Sequence, residues 1–343
     1  MSPQAMEKTK MKRLNKLWLS TAAVLLVMLC GQINAGETRF MNFAAPPGSS
    51  NYYPYWVAVA KAVQTALPEF RINVSESQGA IDIVRKIRAG MTPIGNSQSN
   101  SDYENYHGLG LFKDNPNKEA RIMWYFDESP IQIIVLDEAK INSISDLNGK
   151  RFNPGGTGTA VAVIARQIME ILNIKPNYFE AGQASAADAV SNRQIVGTVK
   201  TGNILGPDSY MMQIKANVPV GLVSLTLEEQ EKIFKAYPYL LPTVIPAGLY
   251  DWINTDTNTV KISMGATTTT KLSQEDGYNM FSAVMSIEGK KLLDAAFPNG
   301  AKQDVIGLTL NAKVPLHAGT VQYLHEKGFE VPAELIPPEY QKK

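Results

Sequence analysis

Short polar loops recur along the chain, each placed after a strand-like run and before a helix-like run. Where parallel strands alternate with helices, such loops lie at the carboxyl ends of the strands, which is where open α/β sheets bind ligands. The helix after each loop offers unpaired N–H groups and the positive end of its dipole. We therefore expect a cleft for a small polar or anionic ligand, lined by Asn51, Tyr52, Ser77, Gln98, Ser99, Thr157, Thr159 and Asn203.

Each of these side chains also has a structural interpretation. Gly, Ser, Thr and Asn are ordinary turn and capping residues, and Tyr52 has the alternative of packing in a core. As a ligand contact, Tyr52 offers a ring face for stacking and a hydroxyl for hydrogen bonding. Thr157 and Thr159 stand where side-chain and backbone groups can donate to an oxyanion at a helix start. Both interpretations stay open at the level of sequence.

Lys200 ends the strand-like run Ile195–Val199. One interpretation is a solvated charge at the start of a loop, and the other is a cation that faces the ligand. An ammonium on a four-carbon stem is a compact point charge that suits a carboxylate. On the second interpretation, the ligand is an anion held between Lys200 and the helix start at 157–159.

The sequence carries few groups for catalysis or metal binding. It contains neither a G-x-S-x-G elbow nor a G-x-x-x-x-G-K-[ST] phosphate loop, and the glycine run at 155–158 does not match the dinucleotide fingerprint. His107, His317 and His325 have no metal-type spacing to other ligand residues, and His107 is expected at a helix end. We therefore expect no enzyme, no cofactor and no metal site.

Strands and helices alternate at short intervals, which is typical of an α/β fold with parallel strands. A strand is predicted at 38–45, and a helix follows with Trp56, Val59 and Val63 on one face. The same rhythm restarts with a strand at 131–136, a helix whose apolar face includes Ile164 and Ile168, and a strand at 194–200. Another strand near Val260 precedes a helix in which Ser273 and Asp276 form a capping pair. The 343 residues are enough for two lobes.

The first 35 residues have the order of a secretory signal. A basic stretch from Lys8 to Lys16 precedes an apolar run from Leu17 to Leu29, and Ala35 stands where a signal peptidase would cut. Met11 is an alternative start, and an uncleaved anchor is an alternative outcome. Cys30, the only cysteine, lies in this segment, so lipid attachment there is the alternative to simple cleavage.

Removal of residues 1–35 leaves 28 basic and 31 acidic residues, a net charge of −3. Such a chain lacks the basic footprint of a nucleic-acid-binding protein. A long polybasic patch for anionic lipid is absent from the sequence as well. We expect an exported protein of the periplasm without a nucleic-acid partner.

Several segments together resemble the TAXI family of solute-binding proteins that serve TRAP transporters. They follow one another in the family's order from about residue 40 to 325. The segments are Tyr52-Tyr53-Pro54, Glu76-Ser77 with Gly79, Gln98-Ser99, Ser145-Asp146-Leu147 with Gly149-Lys150-Arg151, Gly156-Thr157-Gly158-Thr159, Tyr237-Pro238-Tyr239, Ile245-Pro246-Ala247-Gly248-Leu249-Tyr250 and Val314-Pro315-Leu316-His317-Ala318-Gly319.

The resemblance implies a two-lobed periplasmic-binding-protein fold, type II-like, with two crossover strands and a ligand cleft between the lobes. Lobe one would hold 37–132 and 265–343, and lobe two 133–264, with hinges near 127–130 and 258–262. It also implies a monomeric receptor that closes on a small organic acid and delivers it to TRAP membrane subunits driven by an ion gradient. A sensor or scaffold on the same fold is the first alternative, and an exported enzyme is the second.

Three positions depart from the family's pattern. Ser49-Ser50 replaces a usual Gly-Gly pair, and Ala160 stands where many members carry Arg. Lys200 follows Val199 where members have an apolar run. These departures weaken the transfer of a ligand's identity from the family. If Lys200 faces the ligand, it supplies the cation that Ala160 does not.

Overall fold

The computed structural model describes residues 38–48, 50–157, 159–202, 206 and 209–342. The predicted signal segment 1–35, Cys30 and Asn203 lie outside them. The chain divides into the units Met1–Arg39 and Phe40–Lys343. Apart from Thr38 and Arg39, the described residues belong to the second unit.

The first part of the chain alternates strands and helices as the sequence predicts. Strand β1 (Arg39–Ala45) leads to helix α1 (Tyr53–Ala66), then β2 (Phe70–Glu76), α2 (Ala80–Arg88), β3 (Ile94–Gln98) and α3 (Ser99–His107). Helix α1 has Pro54 in its first turn, where the missing N–H is harmless. It buries Trp56, Val59 and Val63, the face that the spacing predicts. His107 ends α3, as expected.

The middle of the chain begins with a long strand and returns with another. Strand β4 (Ala120–Leu136) is followed by β5 (Arg151–Asn153), α4 (Ala160–Ile171), β6 (Asn177–Tyr178), α5 (Gln183–Ser191) and β7 (Gly197–Thr201). Next come α6 (Ser209–Asn217), β8 (Val220–Leu222), α7 (Leu227–Ala236), β9 (Leu241–Ile245) and β10 (Thr257–Thr269). The strand predicted at 131–136 is the second part of β4, so the prediction missed its first eleven residues.

The last part of the chain is helical. It contains α8 (Gln274–Met285), α9 (Ile287–Ala296), α10 (Val305–Leu310) and α11 (Ala318–Glu326). The predicted capping pair is confirmed, because the Asp276 amide donates to Ser273 Oγ at 3.0 Å at the start of α8. Among the helices of the described ranges, none is long and apolar enough to cross a membrane.

The hydrogen-bonded strand order is β2-β1-β3-β10-β4-β7-β5-β6, with β8 on β4 and β9 on β10. β1 pairs with β3, and β5 with β6 and β7, in parallel, whereas every pair that includes β4 or β10 is antiparallel. The predicted α/β class is confirmed. All ten strands of the described residues are connected by hydrogen bonds, because β4 and β10 pair with each other and each also pairs with other strands.

Both long strands exchange partners along their length. Residues 120–130 of β4 pair with β10, and residues 131–136 pair with β7 and β8. β10 pairs with β9 over 257–261 and with β3 over 264–267. The hinges predicted near 127–130 and 258–262 therefore fall inside β4 and β10. The lobe boundaries at 132 and 264 stay a prediction.

An aromatic column fills the core on one face of β4. The Trp124 ring stacks on Trp56 at 6.4 Å and on Phe281 at 5.7 Å between centroids. Each buried indole N–H has a partner, since Trp56 Nε1 donates to Asn96 Oδ1 and Trp124 Nε1 donates to the Tyr55 hydroxyl, both at 2.9 Å. These bonds avoid the penalty of a buried, unsatisfied donor.

Gly265 lies at a close contact between β10 and β4. The register shifts there, because Met264 pairs with Asp127 and Gly265 with Tyr125, which leaves Phe126 as the extra residue of a bulge. A Cβ at position 265 would lie 2.5 Å from the Trp124 carbonyl oxygen and closer still to the Tyr125 ring. Only glycine leaves room for this approach.

Replacement of this glycine tests the crossover. Gly265→Ala should lower the free energy of unfolding by about 1–3 kcal/mol, because the backbone of β4 must shift to admit the methyl group. Gly182→Ala is the control, since a Cβ at 182 meets no atom within 4 Å and its φ of −64° suits alanine. Urea unfolding of both variants measures the difference. Equal stabilities would contradict the close approach of β4 to β10.

Candidate functional site

The carboxyl ends of β5 and β7 meet at one edge of the sheet. The two strands are parallel, with Phe152 opposite Gly197 and Asn153 opposite Thr198. The loop after β5 turns into α4, and Thr159 caps that helix by accepting from the Ala162 amide at 3.3 Å. The Thr159 hydroxyl donates in turn to the Gly156 carbonyl at 2.7 Å. Thr159 is thus a capping residue at the helix start, where the dipole favours an anion.

Asn153 holds this loop in place. Its Nδ2 donates to the carbonyls of Phe179 and Ala181 at 2.8 and 3.0 Å. Its Oδ1 accepts from the Gly155 amide at 3.0 Å and from Thr198 Oγ1 at 2.9 Å. The side chain is fully buried and uses both ends of its amide. Our sequence interpretation missed it, although an Asn before Pro-Gly-Gly is itself a turn signal.

Lys200 lies two residues after Thr198, on the same face of β7. Its side chain is only 6% exposed, so the solvated-charge interpretation does not describe it. Its Nζ lies 5.3 Å from the centre of the Tyr210 ring, whose hydroxyl donates to Thr198 Oγ1 at 3.3 Å. Burial lowers the pKa of Lys200 to about 8, because desolvation penalises the charged form. This ammonium therefore gains strongly from a nearby anion.

A second pair of polar groups lies beside Lys200. Gln132 of β4 is its partner in the ladder, and Gln132 Nε2 donates to the Tyr250 hydroxyl. A Cβ at Gly202 would collide with the Gln132 amide, so the chain after β7 passes directly over it. Neither Gln132 nor Tyr250 was singled out from sequence as a binding residue. The contact between them becomes visible only when β4 and β7 are paired.

Tyr52 lies away from this edge, in an aromatic cluster. Its ring packs against Phe126 and Phe297 at 5.6 and 5.3 Å between centroids. Its hydroxyl donates to Asp127 Oδ2 at 2.8 Å and lies 3.2 Å from Ser129 Oγ. The structure thus gives Tyr52 the packing role that sequence analysis kept as an alternative. A contact of Tyr52 with ligand stays a prediction.

Thr157, Ser77 and Asn51 differ in their exposure and in their hydrogen-bond partners. Thr157 is exposed and donates to Glu180 Oε2 at 2.7 Å, and Ser77 Oγ is buried and accepts from Lys86 Nζ at 2.9 Å. Asn51 is exposed. The placements of Thr157, Ser77 and Asn51 leave their roles as ligand contacts a prediction.

The end of β3 contacts the other half of the chain. Ser99 Oγ donates to the Tyr239 carbonyl at 3.4 Å and accepts from the Ser263 amide at 3.1 Å. The neighbouring Gln98 is half-buried, and its Oε1 is buried without a hydrogen-bond partner among the residues described. The structure therefore brings Thr157, Thr159 and Lys200 to one edge, and Gln98 and Ser99 to another.

The described residues contain no candidate metal site. In the described ranges, no group of three or more His, Cys, Asp or Glu side chains is placed to hold a metal ion. His317 is buried and bonds to the protein itself, with Nε2 2.9 Å from the Leu272 carbonyl and Nδ1 accepting from the Gly319 amide at 3.2 Å. Its role is to join the starts of α8 and α11.

The sequence profile of the NMT1-like family matches residues 43–328, most of the chain. The chain belongs to the NMT1-like family. Among solved structures, XAC2383 from Xanthomonas citri bound to ATP is similar with a TM-score of 0.51 and 10% identity, over 75% of this chain and 88% of that one. This likeness extends to the fold alone.

Two further structures overlap more loosely with this NMT1-like chain. A TctC solute-binding protein from Polaromonas has a TM-score of 0.48 and 15% identity, over 77% of this chain and 89% of that one. The periplasmic aliphatic sulphonate binding protein SsuA from Escherichia coli has a TM-score of 0.44 and 11% identity, over 89% of this chain and 97% of that one. At these TM-scores neither structure decides a point of function.

The Tyr52–Asp127 contact gives a pH-dependent prediction. Burial raises the pKa of Asp127 to about 6, and hydrogen bonds from Tyr52 and from Gln303 Nε2 at 2.9 Å oppose the rise. The folded protein therefore binds more protons than the unfolded chain between about pH 4 and 6, so this group makes stability fall as pH rises through that window.

Tyr52→Phe removes one donor to Asp127 and should raise the pKa of this carboxyl further. The loss of stability should be about 1–3 kcal/mol at pH 7, where the carboxylate is charged, and smaller at pH 5. Urea unfolding at both pH values measures it. Tyr53→Phe is the control, because the Tyr53 hydroxyl makes no hydrogen bond to another described residue. An equal loss at both pH values would exclude the proposed link to Asp127.

Proposed function

We propose that this chain is an extracytoplasmic receptor that binds a small organic anion in a cleft between two lobes. The observation that carries the proposal is the burial of Lys200 at the edge where β5 and β7 end and α4 begins. A buried cation and the start of a helix lie at this edge, and both favour a carboxylate. Membership of the NMT1-like family is consistent with a receptor on this fold.

The two lobes correspond to the two sets of partners of β4 and β10. β4 leaves β10 for β7 after residue 130, close to the proposed boundary at 132. β10 leaves β9 after residue 261 and joins β3 from 264. Residues 37–132 and 265–343 then form lobe one, and 133–264 form lobe two.

We assign delivery of the ligand to TRAP membrane subunits, driven by an ion gradient, on the strength of the TAXI resemblance of the loops. The signal-like segment 1–35 supports export to the periplasm. Uptake of ligand into vesicles that carry TRAP membrane subunits tests the coupling. Uptake that is the same with and without this chain would exclude it.

Lys200 gives the sharpest test of the anion site. A thermal-shift screen of small organic acids first identifies the ligand, because a ligand that binds only the native state raises the midpoint. Lys200→Met keeps much of the side chain, removes the charge and should weaken binding about tenfold or more. Lys200→Arg should also weaken binding, because the guanidinium is longer and planar.

The pH dependence provides an independent check on Lys200. Because the pKa of this ammonium is about 8 in the free protein, affinity should fall as pH rises above 8, and Lys200→Met should remove that dependence. Lys235→Met, on the exposed face of α7, is the control for loss of a positive charge. If Lys200→Met binds the identified ligand as tightly as the parent, the anion site is wrong.

Ligand binding should also close the lobes. β4 and β10 are continuous strands, so the lobes can rotate about them while their ladders persist. The radius of gyration from X-ray scattering should decrease when the identified ligand saturates the protein. An unchanged radius at saturation would mean that the cleft is already closed without ligand.

A further inference from the structure

Three polar side chains from distant parts of the sequence meet in one buried cluster. Glu104 comes from α3, Gln167 from α4, and Tyr239 from the segment between α7 and β9. Gln167 Nε2 donates to Glu104 Oε1 at 3.0 Å. The Tyr239 hydroxyl donates to Gln167 Oε1 at 2.9 Å and lies 3.3 Å from Glu104 Oε1. Each member of the cluster therefore contacts both others.

The cluster joins the two proposed lobes. Glu104 belongs to lobe one, whereas Gln167 and Tyr239 belong to lobe two. The carboxylate lies between them and Gly110, whose φ of +52° and lack of a side chain let the backbone approach Glu104 Oε2. The bond from Ser99 Oγ to the Tyr239 carbonyl adds a contact between the same two surfaces. Opening of the lobes must break all of these bonds.

Glu104 is only 3% exposed and makes no salt bridge with any described residue. A buried carboxylate with amide and phenol partners is held by hydrogen bonds rather than by an ion pair. Such a group is costly to keep ionised, because desolvation opposes the charge. Exposure of the same group in an open form would restore its hydration.

We propose that Glu104, Gln167 and Tyr239 form a clasp that holds the lobes closed when Glu104 is protonated and weakens when it ionises. This inference rests on the proposed function, since it requires two lobes that open and close. It adds a regulation of the ligand site: affinity rises as the surroundings become more acidic.

The direction of the effect follows from burial. Burial raises the pKa of Glu104, and the hydrogen bonds from Gln167 and Tyr239 oppose the rise only in part. In the open form the carboxyl meets water and its pKa returns toward the ordinary 4.5. Above that value the closed form holds the proton more tightly than the open form. Closure is therefore favoured as pH falls and opposed as pH rises.

Several other titratable groups lie on the helices around the clasp. The pKa of Glu104 has no resolved contribution from another charge, and its own charge raises the pKa values of Tyr237 and Tyr239. Helix α3 itself carries Asp102, Tyr103, Tyr106 and His107, and its neighbours carry Arg166 and Glu170 of α4, Asp82, Arg85, Lys86 and Arg88 of α2, and Tyr237. Burial raises the pKa of Asp102 to about 7, so this carboxyl titrates in the same range as the clasp. Its hydrogen-bond partner Tyr125 lies in lobe one, so the contact of Asp102 does not cross between the lobes. Arg88 is committed to Asn105 Oδ1 and Asn115 Oδ1, both at 2.7 Å. Burial lowers the pKa of His107, which favours the neutral imidazole.

Glu104→Gln is the central variant, because an amide accepts the same hydrogen bonds and cannot ionise. The readouts are ligand affinity and the radius of gyration of the ligand-free protein, each measured from pH 5 to 8. In the parent, affinity should fall with rising pH by up to tenfold per unit, and the radius should increase. In Glu104→Gln both should vary much less than in the parent between pH 5 and 7, and the loss of affinity that Lys200 causes near pH 8 should remain. Glu170→Gln is the matched control, because Glu170 is exposed and follows Gln167 by three residues in α4. This variant should behave like the parent.

Tyr239→Phe tests the clasp from the other lobe. It removes the phenol contact and should weaken ligand binding about tenfold while the pH dependence persists. If Glu104→Gln does not fold, Tyr239→Phe and Gln167→Met take its place, and loss of closure in both variants without loss of thermal stability supports the clasp. Unchanged affinity and radius in both would exclude it.

The outcomes separate this inference from the proposed function. If an organic acid binds and closes the parent, but Glu104→Gln keeps the parent's pH dependence, the clasp is wrong and the receptor stands. If no organic acid binds, the receptor fails. The scattering of the ligand-free protein then still decides whether Glu104 controls closure.

Discussion

Between residues 120 and 130, β4 pairs with the last part of β10, and beyond that point the same strand exchanges its partner for β7 and β8. A 17-residue strand spans more than 50 Å at about 3.3 Å per residue, so its two ends necessarily serve different packing surfaces. The bulges at this crossing bend β4 locally between its two sets of partners. Gly265, Tyr52 with Asp127, and Gln132 beside Lys200 all lie on or against this pair of strands.

Several polar side chains of α3 are buried. Helix α3 is polar in sequence, yet Asn100, Asp102 and Glu104 are all buried. Burial raises the pKa of Asp102 to about 7, although the Tyr125 hydroxyl donates to it at 3.1 Å. Stable folding alone would favour apolar residues at such positions. Glu104 differs from Asp102, because its partners Gln167 and Tyr239 come from the other half of the chain.

The alternation of strands and helices could be predicted from sequence because it depends on local periodicity. Trp56, Val59 and Val63 repeat at helical spacing, and the cap at Ser273 is a short-range motif. The first part of β4 was missed because 120–130 is buried on both faces and shows no alternation. Its apolar residues, Ile122 to Phe126, satisfy two cores at once, which only the tertiary structure reveals.

The candidate site divides in the same way. Lys200 and Thr159 could be singled out, since a charge at a strand end and a hydroxyl before a helix are local signals. Asn153 and Gln132 could not be assigned, because their partners Phe179 and Tyr250 are 26 and 118 residues away in the chain. The role of Tyr52 was left open, because an aromatic residue before a helix suits a cleft and a core equally well.

The distribution of tryptophan has a spectroscopic consequence. Of the three tryptophans in the described residues, Trp56 and Trp124 are fully buried in the aromatic column on one face of β4. Trp252 is half-buried, stacks on Tyr250 at 5.6 Å and has Lys215 Nζ 5.5 Å from its ring. Two indoles therefore lie in an environment closed to solvent, whereas the third lies beside the Gln132–Tyr250 pair. Among the tryptophans of the described residues, Trp56 and Trp124 should supply a blue-shifted background, and Trp252 should supply the red-shifted component that reports on events near Lys200.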